Sequence, residues 1–201
     1  MKTLKILLLG TAIIFSGMAN AQKLKVVSGK LDFLKGQTAL NVEYKYDDMK
    51  VGKMTEEDYI AEKVEKYNND EAGKGDKWKE AWFNDRATRF HPKFEELMNK
   101  YLAKKGASIS SENNDAEYTL ILKTTFTEPG FNVGVMRRPA LINTEVIFVK
   151  TGSTEELAKI TLTKAPGNAV MGLDFDTGLR IQEAYAKSGK TLAGYLIKKA
   201  L

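Results

Sequence analysis

Between residues 116 and 164, apolar and polar side chains alternate more persistently than anywhere else in the chain. Tyr118, Leu120, Leu122, Thr124 and Phe126 share one face while Thr119, Lys123 and Thr125 take the other, the period of two expected of a half-buried strand. Ile142, Thr144, Val146 and Phe148 repeat the pattern, and the mixed residues between them (Leu141, Asn143, Glu145, Ile147, Val149) predict a more central strand covered in part on both sides. After the polar turn 151–156, Ala158 to Thr163 closes an antiparallel hairpin. Upstream, Leu24 to Leu34, broken at Ser28-Gly29, and the alternating Leu40, Val42, Tyr44 and Tyr46 predict two strands turning at Lys35-Gly36-Gln37, an N-terminal hairpin.

Elsewhere the period is helical. Thr55 ahead of Glu56, Glu57 and Asp58 predicts a capped helix start, with Ile60, Val64 and Tyr67 facing inward. Residues 68–75 (NNDEAGKG) read as a mobile polar loop, after which Asp76 caps a segment carrying Trp78, Ala81, Trp82 and Phe83. Pro92 opens a further helix with Phe94, Leu97, Met98, Tyr101 and Leu102 on one stripe and Gly106 at its stop. Beyond a loop over 166–172, Asp176 or Thr177 starts a last helix whose inward stripe is Ile181, Ala184, Tyr185, Ser188, Leu192, Tyr195 and Leu196. The predicted fold is α+β: one domain with an about five-stranded, mostly antiparallel sheet (two N-terminal and three central strands) and amphipathic helices packed on it.

The first 21 residues change the setting. Lys2 and Lys5, an apolar run over 6–15 and Ala19-Asn20-Ala21 before Gln22 have the form of a secretory signal peptide cleaved near Ala21/Gln22, leaving 22–201 as a single exported domain, periplasmic or secreted. The apolar run is too short for a mature membrane span. With no cysteine there is neither a disulfide nor a lipid-anchor acceptor, so packing alone must stabilise the domain. Loss of the two leader lysines lowers the net charge from +5 to +3, too small a surplus to indicate nucleic acid. Arg180, Lys187, Lys190, Lys198 and Lys199 nevertheless give the last helix a basic character that would favour weak contact with acidic surfaces.

Candidate chemistry is thin. Ser188-Gly189-Lys190-Thr191 has the ending of a phosphate loop, but Ala184 stands where its first glycine belongs and helical periodicity runs straight through. Asp176-Thr177-Gly178 matches an aspartic-protease tripeptide, yet one helix follows it instead of strands, so a helix cap is expected. Asp174, Asp176 and Gly178 do not complete a calcium loop. His91 is the single histidine, which excludes a His/Cys zinc site and leaves a structural role beside Pro92. No cofactor is called for. A carboxylate pair brought together by the fold is the one catalytic arrangement that sequence does not address.

Two groups point to binding. Trp78 and Trp82 stand one helical turn apart, as a core stripe or as a platform for sugar or peptide. The twelve residues 128–139 (EPGFNVGVMRRP) are long for a hairpin link and predict a flap, or a strand extension that pairs with a neighbour, with Phe131, Val133, Val135 and Met136 apolar and Arg137 and Arg138 at its tip; the alternative is a loop folded back onto its own sheet.

The segments SGKLDFLKGQTALNVEYKYDDMKVG, AEYTLILKTTFTEPGFNVGVMRRPA and GLRIQEAYAKSGKTLAGYLIKK resemble small exported proteins of Bacteroidetes; the latter two also resemble envelope-assembly accessory domains of the curli-secretion and penicillin-binding-protein-activator type. That resemblance implies a non-enzymatic binding or assembly role toward an envelope protein or polymer. The alternatives are a carboxylate-dependent hydrolase of such a polymer and a carrier for an apolar ligand.

Overall fold

The alternating runs and amphipathic stripes assemble into two layers in the computed structural model, which describes residues 22–168 and 176–201. The leader over 1–21, most of the loop read over 166–172, and Asp174 of the calcium pattern lie outside the described residues. In chain order the strands and helices are β1 (Lys23–Gly29), β2 (Ala39–Lys45), β3 (Lys50–Val51), β4 (Met54–Thr55), α1 (Glu56–Asp70), α2 (Lys74–Asp85), α3 (His91–Leu102), β5 (Ser108–Ser110), β6 (Tyr118–Glu128), β7 (Phe131–Asn132), β8 (Arg137–Arg138), β9 (Ala140–Lys150), β10 (Glu156–Gly167) and α4 (Thr177–Lys199).

The main sheet runs β1-β10-β9-β6-β2-β5, with β3 continuing beside the far end of β6. The five long strands are those predicted, and their pairings are antiparallel except that of β2 with β6. The N-terminal hairpin is overturned: β1 pairs with β10 at one edge, while β2 lies across the sheet, parallel to β5 and β6. Leu31 and Leu34 explain the separation, because the turn between the strands buries both in the core. The helices after β2 supply the long crossover that a parallel partner requires.

One register detail departs from the alternation. A bulge between Thr124 and Phe126 shifts the β6–β9 ladder, so Thr127 takes the inward position opposite Ile142 and Phe126 leaves it. In β9, Ile142, Thr144, Val146 and Phe148 are all buried as expected. α4 packs on β9 and β10, and α3 packs on α4, so the core closes on one face of the sheet. Leu120, Leu122, Ile160, Leu162, Phe94, Met98, Leu192 and Leu196 are wholly buried there.

The helices need two corrections. The mobile loop over 68–75 is a short αα turn: the Asn68 side chain accepts a hydrogen bond from the Gly75 amide at 2.7 Å, and helix resumes at Lys74. Gly73, not Asp76, is the N-cap of α2; Asp76 sits inside its first turn and receives Asn68 Nδ2 at 3.3 Å. Pro92 stands in the first turn of α3 as predicted, and a π-turn over Arg86–Phe90 joins α2 directly to that helix. Proline lacks an amide hydrogen and crowds the preceding carbonyls, and the wider turn accommodates it.

α3 and α4 cross at backbone distance. A Cβ built on Gly189 would lie 2.6 Å from the Phe94 carbonyl oxygen, so no side chain fits without separating the helices. Ser188 and Gly189 are buried and Lys190 is exposed, which is helix interior and no phosphate cradle. Replacing Gly189 by valine is expected to cost about 1–3 kcal/mol of stability through overpacking, read as a lower urea midpoint. An unchanged midpoint would show that the two helices part without penalty.

Candidate binding site at the start of the last helix

Residues 128–139 form a flap, but its tip is Val133–Met136, and Arg137 and Arg138 lie in its returning strand and not at the tip as predicted. β7 and β8 pair as a separate two-stranded ribbon, Phe131 opposite Arg138 and Asn132 opposite Arg137. At its turn the Val133 amide donates to the Met136 carbonyl at 3.0 Å, and the Gly134 amide donates to the Asn132 side chain at 2.9 Å. Gly134 has φ +83°, a conformation open to glycine. Val135 is 94% exposed, Met136 63%, Val133 61% and Phe131 41%. Arg137 is exposed as well, while Arg138 reaches Glu128 at 3.7 Å.

The base of the ribbon is clamped by Arg180. Its Nε donates to the Pro129 carbonyl at 3.2 Å and its Nη2 to the Gly130 carbonyl at 3.4 Å and Thr177 Oγ1 at 2.9 Å. Arg180 is 2% exposed, which corrects its placement on the basic outer face of α4. Lys187, Lys190, Lys198 and Lys199 do face solvent. Arg180 immediately precedes Ile181 and stands one turn before Ala184, at the border of the apolar stripe; that position was the sequence signal for its burial.

Trp78 and Trp82 reach the same turn of α4 from the other side. Their ring centroids are 5.5 Å apart, Tyr59 and Tyr67 pack on them, and Trp82 Nε1 donates to Glu56 Oε1 at 2.6 Å. Trp82 is buried in the core and Trp78 is half-buried against it. Together with Asp85, Arg89 and Thr177 they line a pit of about 260 Å³. Here stands the carboxylate pair that sequence could not address. Arg89 holds Asp85 Oδ1 from its Nε at 3.1 Å and Asp176 from its Nη1 at 3.0 and 3.1 Å. Burial raises the Asp85 carboxyl above its ordinary range, against the pull of Arg89. Burial works to raise Asp176 also, but hydrogen bonds from the Leu179 amide and Arg89 outweigh it and hold that carboxyl low. Asp176 is thereby the N-cap of α4. Tied to one guanidinium, the two acids form a salt-bridged triad, not a free acid facing a free base.

On the far side of α2 a polar network underlies an open groove of about 940 Å³, whose apolar wall is Met49, Ile60, Val64 and Phe83. Arg86, from the π-turn, pairs with Glu56 and lays its guanidinium over the Tyr46 ring at 3.9 Å. The Tyr46 hydroxyl meets His91 Nε2 at 3.0 Å and the Tyr185 hydroxyl at 3.4 Å, and Tyr185 meets Thr124 Oγ1 at 2.6 Å. His91 stacks on Tyr44 with centroids 3.7 Å apart. Burial, then the nearby Arg86, pushes the imidazole down to about 4, and burial pushes the Tyr44, Tyr46 and Tyr185 phenols up. Near neutrality the imidazole is uncharged and the phenols protonated, which makes this cluster structural. Among the described residues no group of three or more His, Cys, Asp or Glu could hold a metal ion.

No protein-family model matches the sequence, and neither does any curated protein. Among solved structures, the PelC dodecamer from Paraburkholderia phytofirmans aligns over 83% of this chain and 97% of that one, at 12% identity and a TM-score of 0.37. Protein XCC0632 from Xanthomonas campestris aligns over 81% and 85%, at 10% identity and the same score. Likeness at that level carries no argument about function or assembly, so the reading rests on this chain's own residues.

Two outcomes follow from the geometry. Arg180→Ala leaves the Pro129 and Gly130 carbonyls without their donor; it is expected to cost about 1–3 kcal/mol and to speed tryptic cleavage after Arg137, the bond after Arg138 being blocked by Pro139. A cleavage rate equal to wild type would remove Arg180 as the clamp. For His91, the folded value near 4 lies below the ordinary 6.5, so the folded chain binds fewer protons between them. Its stabilising contribution is complete above about pH 6.5 and lost as pH falls toward 4, about 1–2 kcal/mol after discounting for the ring's partial exposure. His91→Gln should flatten the urea midpoint over that window, and an equally steep profile in the variant would refute the assignment.

Proposed function

We propose that this chain is an exported, non-enzymatic binding or assembly-accessory domain of the cell envelope, which contacts a protein or an envelope polymer through the flap. The observation that carries the reading is the flap itself: four apolar side chains held in solvent on a ribbon whose base is fixed by a buried arginine. Exposed apolar side chains on a pre-shaped element lose little conformational freedom on docking, and Arg137 adds a cation beside them. The leader read over 1–21 supports export, and among the described residues no helix is long and apolar enough to cross a membrane.

The two alternatives find less support. A hydrolase needs one carboxyl free to give a proton and another free to take one or to attack, whereas Asp85 and Asp176 share Arg89. A carrier needs an enclosed apolar chamber, while among the described residues the space between sheet and helices is filled with side chains and the cavity of about 940 Å³ is an open groove.

The test is capture from envelope extract with wild type, Val135→Asp and the double variant Arg137→Ala/Arg138→Ala. Val135, Arg137 and Arg138 are all exposed, and the Arg138–Glu128 pair is a solvated ion pair, so both variants should fold as wild type does. Partner retention is expected to weaken by about 2 kcal/mol or more in Val135→Asp if that side chain is a central contact, and by less in the arginine variant. Equal retention by all three proteins would remove the flap from the reading.

A further inference from the structure

The pit beside Trp78 is not used by the flap, and its chemistry is specific. Its lining combines the aromatic rings of Tyr67, Trp78 and Trp82 with a polar group made of Asp85, Arg89 and Thr177. Among the described residues, Asp85 Oδ2 has no hydrogen-bond partner and Arg89 Nη2 donates to none, although both belong to side chains fixed by the triad. The acceptor and the donor both belong to residues that line the pit together with its aromatic rings. Two carboxylates against one guanidinium leave the polar group net negative, which disfavours an anionic ligand. The volume of about 260 Å³ falls below the range of about 300–1,000 Å³ usual for drug-sized ligands, so the occupant is small.

We infer that this pit binds one unit of a neutral saccharide. The C–H face of a pyranose packs on the indole of Trp78, while one ring hydroxyl donates to Asp85 Oδ2 and its neighbour accepts from Arg89 Nη2. Adjacent hydroxyls on a rigid ring match a fixed donor–acceptor pair in a way that a lone ammonium or carboxylate does not. Gly178 packs directly against the polar group. A Cβ there would lie 2.1 Å from Asp85 Oδ2 and 2.6 Å from Arg89 Nη1, so any larger residue displaces the pair. The inference is independent of the flap.

The chain contains two tryptophans, and both border the pit, so intrinsic fluorescence reports on it directly. The experiment titrates the mature chain with N-acetylglucosamine, glucose, glucuronate and choline at millimolar concentration. Saturable quenching or a blue shift is expected with a neutral sugar and not with glucuronate or choline. Gly178→Ala, which suits a helix, and Asp85→Asn should each weaken the sugar response at least tenfold while unfolding cooperatively in urea. Val135→Asp should leave the response unchanged. The inference is overturned by a folded wild type that responds to neither sugar, by choline or glucuronate binding in preference to sugar, by undiminished response in folded Gly178→Ala, or by loss of response in Val135→Asp.

Discussion

Everything in this structure depends on how closely α4 can approach its neighbours. At three places along or beside it a glycine stands where a side chain would strike backbone or a fixed polar group: Gly167 of β10 against the Arg180 carbonyl, Gly178 against Asp85 and Arg89, and Gly189 against the Phe94 carbonyl. One helix is thus seated on the sheet, on the end of α2 and on α3 at once. Because interiors are packed as densely as organic crystals, a shift at one of these contacts must propagate to the others.

That seating also joins two surfaces far apart in sequence. The first turn of α4 presents Arg180 to the flap base and Thr177 and Gly178 to the aromatic pit. The flap is a continuation of β6 and β9 and the tryptophans belong to α2, so neither group is placed by its own element alone. Polar groups buried in this region are paired with one another: Arg86 with Glu56, Tyr185 with Thr124, and Tyr46 with His91. Such pairing offsets the desolvation that isolated phenols and guanidinium groups would suffer.

Much of the layout was legible. The inward residues of β6 as far as Thr124, those of β9, and the stripe of α4 follow from periods of two and 3.6, which neighbouring residues impose on each other regardless of the rest of the chain. The caps at Thr55 and Asp176 were legible for the same reason, since a cap bonds within its own first turn. The flap could be read from its length and its apolar residues. Its detachment from the main sheet could not, because that depends on Arg180, some fifty residues away, withdrawing the Pro129 and Gly130 carbonyls.

By itself the sequence determined the class of each segment: which stretches alternate, which wind, and that no cysteine or second histidine exists for metal or disulfide chemistry. The tertiary structure decided partners. It sent β1 and β2 to different parts of the sheet, turned Phe126 off the inward face with a bulge, converted a polar glycine-bearing stretch into a tight helical turn, and brought Asp85 and Asp176 to one arginine. Periodicity is a local property carried by adjacent residues. Pairing is settled only when distant elements compete for the same apolar face, and that competition leaves no mark in any single stretch of chain.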